Sequence, residues 1–232
     1  MRDDLVPREV LFGNPERTSP RIHPHGDRLA WIAPDEGVLN VWLGGLDLTD
    51  ARPLTRDRDR GIRTLAWAHD GRHLLYLQDA GGDENWRLHA VDVEQGTDRD
   101  LTPFDGVQAR LVAMDRHQPD AVLVALNLDR EQLHDVYRLH LPTGELEKVL
   151  DNPGFVDVVA DEQMRVRAGI AATPDGGVTV LVRDDEDTDA EDAESDEDAE
   201  DEGEAAWQAF QARDLEMQGQ MQIVVTQHTE AW

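Results

Sequence analysis

The strongest constraint on this chain is a unit of roughly 45 residues that recurs along it. Residues 62–103 hold four short apolar runs, Thr64–Ala68, His73–Gln78, Trp86–Val91 and Arg99–Thr102. Between them stand His69-Asp70-Gly71, Ala80-Gly81-Gly82-Asp83 and Glu94-Gln95-Gly96. Glycine, or aspartate beside glycine, tolerates the backbone of tight hairpin turns. The runs alternate as strands do and are too short for helices. Four antiparallel strands in about 42 residues is the size of one β-propeller blade.

The landmarks return at matching spacings. Gly26 to Gly71 is 45 positions, Trp42 to Trp86 is 44, Leu54-Thr55 to Leu101-Thr102 is 47, and Gly96 to Gly144 is 48. Pro119-Asp120 with residues 121–124, and then Asp135-Val136-Tyr137-Arg138, supply a third copy. A fourth starts at Val156, carries Pro174-Asp175-Gly176-Gly177, and then loses its pattern. The expected fold is all-β: a partial propeller of about four blades, at residues 19–55, 62–103, 107–152 and 156–183. A lead segment (1–18), an acidic disordered insertion (184–206) and a C-terminal remainder of the fourth blade (207–232) complete the organisation. Residues 207–218 are expected to be a short helix and 222–226 a strand. The tryptophans Trp31, Trp42, Trp67 and Trp86 are expected to pack between neighbouring blades. Four blades fall short of a closed ring, so an open arc is expected, least ordered in its last blade.

Composition excludes several functions. The 232 residues include no cysteine, hence no disulfide framework and no thiolate chemistry. Fifty acidic residues against 22 basic give a net charge of −28. Residues 184–204 hold 15 of those acids; without them 35 acids still face 22 bases. Such a chain repels phosphates and anionic lipid, so neither nucleic acid nor membrane is an expected partner. The excess fits a salt-rich cytoplasm, where about 1 M salt shortens the screening length to about 3 Å, or simply an acidic protein with a disordered insert. The tract has too little apolar surface to offset its ordering entropy and lacks the spacing of an EF-hand. No apolar run approaches the ~20 residues of a membrane span, and the N-terminus lacks a signal-peptide core. A cytoplasmic location follows as an expectation.

Several stretches resemble the N-terminal propeller of the prolyl oligopeptidase (S9) family of serine peptidases, in its acylaminoacyl-peptidase or dipeptidyl-peptidase branch. They are Phe12-Gly13-Asn14-Pro15-Glu16-Arg17-Thr18-Ser19-Pro20, Trp67-Ala68-His69-Asp70-Gly71-Arg72, Gly81-Gly82-Asp83-Glu84-Asn85-Trp86, Asp100-Leu101-Thr102-Pro103 and Asn152-Pro153-Gly154-Phe155-Val156. The resemblance covers roughly residues 8–183. It implies a propeller that caps an α/β-hydrolase domain and filters the peptides reaching a Ser-Asp-His triad. It also implies that acidic propeller residues can hold a substrate's free N-terminus, which singles out Asp83 and Glu84 as substrate-binding candidates.

The catalytic part of that family has no counterpart in the sequence. Its two serines, Ser19 and Ser195, stand outside any G-x-S-x-G elbow, so no catalytic residue is carried over. The chain reads as the front portion of a longer protein, by truncation, frameshift or as a remnant. Gly81-Gly82-Asp83-Glu84-Asn85 is a turn rather than a cyclase signature, and the histidine pairs His23/His25 and His69/His73 read as turn residues rather than zinc ligands. Neither cofactor nor metal is expected. The function expected is non-catalytic substrate gating for a hydrolase domain absent from the chain. The alternative is a stand-alone TolB-like or WD40-like interaction module, its open edge covered by a second copy of itself. An enzyme with an unrecognised site is the third possibility.

Overall fold

A computed structural model describes residues 8 and 16–183 of the chain and the backbone of residues 207–210. The described residues form four antiparallel four-stranded sheets, each built from consecutive strands. The first holds β1 (Thr18–Ile22), β2 (Arg28–Asp35), β3 (Val38–Gly45) and β4 (Arg52–Pro53). The second holds β5 (Leu65–Trp67), β6 (His73–Gln78), β7 (Arg87–Asp92) and β8 (Thr97–Asp100). The third holds β9 (Ala109–Met114), β10 (Ala121–Arg130), β11 (Leu133–His140) and β12 (Leu146–Leu150). The fourth holds β13 (Asp157–Ala160), β14 (Val166–Ala172), β15 (Val178–Arg183) and β16 (Trp207–Phe210). This is the expected all-β partial propeller of four blades. The acidic tract, which separates β15 from β16 in sequence, lies outside the described residues, as do 211–218 and 222–226.

Strand alternation explains how the sheets stack. Successive side chains point to opposite faces, so one strand supplies two cores. In β6, Leu74 and Tyr76 join the core against the first sheet, while Leu75 joins the core against the third. In β10, Val122, Val124 and Leu126 face the second sheet, while Leu123 faces the fourth beside Val136, Met164 and Val166. The first strands converge, with β1 approaching β5 and β9 approaching β13.

The repeated turns are held by the same chemistry. Asp70 Oδ1 accepts from the amides of Arg72 (2.8 Å) and His73 (2.9 Å). Asp115 and Asp161 serve the corresponding turns of the third and fourth sheets, accepting from the His117 (2.7 Å), Gln163 (3.0 Å) and Arg165 (2.9 Å) amides. Gly71 has a φ of +66°, and a Cβ there would stand 3.2 Å from the ring nitrogens of His23 and His25. A side chain at 71 would therefore be strained and would also push apart the first two sheets.

In the first three sheets the third strand is tied to the connection that leaves its sheet. Buried Thr55 Oγ1 accepts from Val41 N, and buried Thr102 Oγ1 accepts from Leu88 N, both at 2.9 Å. In the third sheet the roles are exchanged. Asp135 on β11 accepts from the amide of Asn152 at 2.9 Å, and the Asn152 side chain donates to the His134 and Phe155 carbonyls.

Two sequence expectations are corrected. Residues 207–210 form a strand rather than the start of a helix, pairing Arg183↔Trp207 through Val180↔Phe210. The open edge of β15 offers a ladder that outcompetes a short local helix. Among the described residues Trp31 and Trp42 pack against no second blade. They are cross-strand partners stacked at 6.4 Å on the face opposite Ile32 and Val41. Trp67 does lie in the core between the first two sheets.

Two substitutions test these ties. Thr102→Val keeps the shape but leaves the buried Leu88 amide without its acceptor, and is expected to cost about 1–3 kcal/mol in chemical denaturation. At Gly169 an added Cβ would meet the Phe155 ring at 2.3 Å. Gly169→Ala is therefore expected to cost about 1–3 kcal/mol by overpacking, with Phe155→Leu restoring part of the loss.

Candidate functional site

One rim of the arc gathers the hairpins between second and third strands together with the connections between sheets. Asp83 and Glu84 lie there, both exposed, in the loop from β6 to β7. The Asp83 carboxylate is committed to its own loop: it accepts from the amides of Ala80 (3.2 Å) and Asn85 (3.1 Å) and from Asn85 Nδ2 (3.2 Å). Desolvation works against its ionised form, but these hydrogen bonds outweigh it and hold the carboxyl below the usual aspartate range. Glu84 has a φ of +60°, uncommon for a residue with a side chain, and its carbonyl accepts from Gln108 Nε2 at 3.1 Å. That bond tethers the loop to the entry of the third sheet.

A network of charges runs along the same rim. Asp79, nearly fully buried, pairs with Arg60 (3.3 Å), and Arg87 bridges Asp100 (3.4 Å) and Asp105 (3.0 Å). Its most buried member is Asp135, whose side chain is 1% exposed. Arg130 (2.6 Å) and Lys148 (3.0 Å) both contact Asp135; Lys148, the single lysine, also reaches Asp129 (2.6 Å) and lies 5.6 Å over the Tyr137 ring. Burial would raise the Asp135 carboxyl, but the Asn152 amide, Lys148 and Arg130 hold it below the ordinary value. Its contribution to stability is therefore complete above the unfolded value of about 3.9 and is lost as pH falls through the lower folded one.

The opposite rim carries histidines, and they are structural. His23 Nε2 lies 2.7 Å from the Gly71 carbonyl, and since a carbonyl only accepts, this nitrogen carries the proton. Its ring stands edge-on to Trp67 at 4.7 Å, joining the first two sheets. His73 Nδ1 pairs with Asp70 at 2.5 Å. Among the described residues no group of three or more His, Cys, Asp or Glu is placed to hold a metal ion. Ser195 lies outside the described residues, and Ser19 stands in β1 with a φ of +52°.

A second feature gave no signal in the sequence. A groove of about 930 Å³ runs along β9 and β13, from the rim of residues 132–134 and 152–156 to the turns at Asp115 and at residues 161–163. Leu111, Phe155, Val156 and Val159 give it apolar walls, and Arg110 and His134 stand at one end. Val156 and Val159 are 53% and 36% exposed, high for valine in a folded sheet. Among the described residues the Arg110 guanidinium holds only Gln108 Oε1, at 3.0 and 3.2 Å. Burial, together with the positive charge of Arg110, lowers the basicity of His134, so its imidazole is neutral at pH 7. Neighbours from two separate blades build this groove, so no local motif announces it.

Four stacked blades with an axial groove define the chain as part of a β-propeller. The comparisons with known proteins agree. No family model matches the chain. Dipeptidyl aminopeptidase BIII of Pseudoxanthomonas mexicana is 40% identical over 184 residues, covering 78% of this chain and 26% of that protein. Dipeptidyl peptidase family member 6 of Caenorhabditis elegans is 28% identical over 180 residues, covering 75% of this chain and 24% of the relative. The β-propeller domain of the Trilobed protease from Pyrococcus furiosus superposes with a TM-score of 0.51 at 19% identity, covering 73% of this chain and 54% of that one. That likeness speaks for the fold alone. The chain belongs to the prolyl oligopeptidase (S9) family as an N-terminal propeller portion, and spans about a quarter of the length of these two relatives.

The Asp135 cluster yields a direct test. Asp135→Asn should cost about 2 kcal/mol or more at pH 7, because two cations and a buried amide lose their acceptor charge. The same variant should show a shallower loss of stability below about pH 4 than the parent chain, read by urea titration across pH.

Proposed function

We propose that this chain is a non-catalytic propeller portion of an S9-type serine peptidase, and that it controls which peptides reach an α/β-hydrolase domain. The observation that carries this reading is the 40% identity to a dipeptidyl aminopeptidase, confined to about a quarter of that protein. The groove along the converging first strands supports it, since a filter for peptides needs a surface inside the arc. Asp83 and Glu84, exposed on one rim, are the proposed contacts for a substrate's free N-terminus. Most hydrogen-bonding capacity of Asp83 is already used within its loop, so Glu84 is the stronger of the two.

A second reading has its own observation. The face of the fourth sheet turned away from the third exposes Val159, Val178 and Val182. Such a face favours an interaction module, with a second copy of the chain or another sheet laid against it.

Fusing the chain to the hydrolase portion of the Pseudoxanthomonas relative, in place of that protein's matched segment, tests the gating reading. The fusion is expected to cleave a dipeptide anilide at least about tenfold faster than a disordered 30-residue peptide, whereas the hydrolase portion alone loses that preference. Equal size preference in the two proteins would refute gating.

A further inference from the structure

We propose that the groove along β9 and β13 is a binding site for a short extended peptide whose carboxylate is received by Arg110. The peptide class rests on the gating reading above; the shape and charge of the groove argue separately for an extended, partly apolar ligand with an anionic end.

The backbone supplies the first argument. Among the described strands β9 pairs only with β10 and β13 only with β14, so each presents its other edge along the groove. Apart from the Ala109 amide, which donates to the Trp86 carbonyl at 2.7 Å, such an edge offers amides and carbonyls at the strand repeat of about 3.3 Å per residue, and an extended peptide is the ligand that matches them. The walls supply the second. Val156 and Val159 are open to solvent in the groove, and Leu111 and Phe155 stand beside them. Apolar side chains at alternate positions of the ligand would cover them.

Charge supplies the third argument. In a chain of net charge −28, Arg110 forms no ion pair among the described residues and holds only the neutral Gln108. His134 beside it is neutral and adds no second cation, so the preference for an anion rests on Arg110. The far end of the groove carries Asp115 and Glu162, which repel a carboxylate and set the ligand's direction. Asp157 also lines the Arg110 end and opposes the arginine in part, so the gain from a ligand carboxylate is modest, about tenfold.

Isothermal titration of the full chain with three peptides tests this: acetyl-Val-Ala-Val-Ala as free acid, the same peptide as its amide, and acetyl-Val-Ala-Val-Asp amide. The parent chain is expected to bind the amide weakly and at least one carboxylate peptide about tenfold more tightly. The arm that shows the gain identifies a terminal or a side-chain carboxylate as the group received. Arg110→Gln should erase that gain and leave amide binding unchanged, while Val159→Asp should weaken all three at least tenfold. Both positions are exposed, and unchanged thermal melting checks that the variants fold. No binding at millimolar peptide, no gain for either carboxylate, or a gain that survives in Arg110→Gln would overturn the proposal. Those outcomes would leave gating by the rim loops intact, and loss of size preference in the fusion would leave this site standing.

Discussion

No sheet in this protein can bury its own apolar residues. A four-stranded blade is apolar on both faces, so each needs a neighbour on either side, and stability passes from sheet to sheet as nearest-neighbour contacts. Strand alternation enforces this: Leu74 and Leu75 are adjacent in sequence, both essentially fully buried, and belong to different cores. The cores also differ in size. Among the described residues, the one between the second and third sheets has more than a dozen buried residues and the one between the third and fourth has four. The fourth sheet is therefore the most weakly anchored, and its outward face has no described neighbour to complete it.

Electrostatics is organised to relieve the acid excess locally. Aspartates outnumber what arginine can pair, and many are spent instead on backbone amides at turns. Asp70, Asp92, Asp115 and Asp161 each accept main-chain hydrogen bonds and are each held below the usual carboxylate range. An amide cap stabilises a carboxylate without a partner cation, so a chain with few bases can still place acids at every turn. The cations that remain gather where acids are buried, as Arg130 and Lys148 do around Asp135.

The blades were legible in the sequence because their signals are local. Turn glycines, period-two alternation and the Leu-Thr pairs at 54–55 and 101–102 all fall within one repeat, and the four sheets lie where those landmarks recur. Interactions between elements were not legible. The Trp31–Trp42 stack depends on the register of β2 and β3, which composition does not specify. The pairing of β16 depends on a strand 24 residues earlier in sequence, across the acidic tract, so a local helical reading of residues 207–210 had no competitor until β15 was in place. For the same reason Asp83 and Glu84 stood out by their motif, while Arg110, Val156 and Val159 did not.

The two open surfaces of the arc ask for different things. The outward face of the fourth sheet is a two-dimensional apolar surface with rows at Val159, Ala168 and Val182 and at Ala172 and Val178. Only another sheet covers such a face well, because only a sheet repeats side chains on the same grid. The groove is one-dimensional: two strand edges, a narrow apolar wall and the Arg110 guanidinium, which forms no ion pair among the described residues. A sheet cannot enter it, but one extended strand can. The two surfaces share Val159, so a partner that covers the whole face and a peptide that enters the groove compete for that side chain. A partner confined to Ala172 and Val178 would leave Val159 open and, by steadying the fourth sheet, would help hold β13 in place as one wall of the groove.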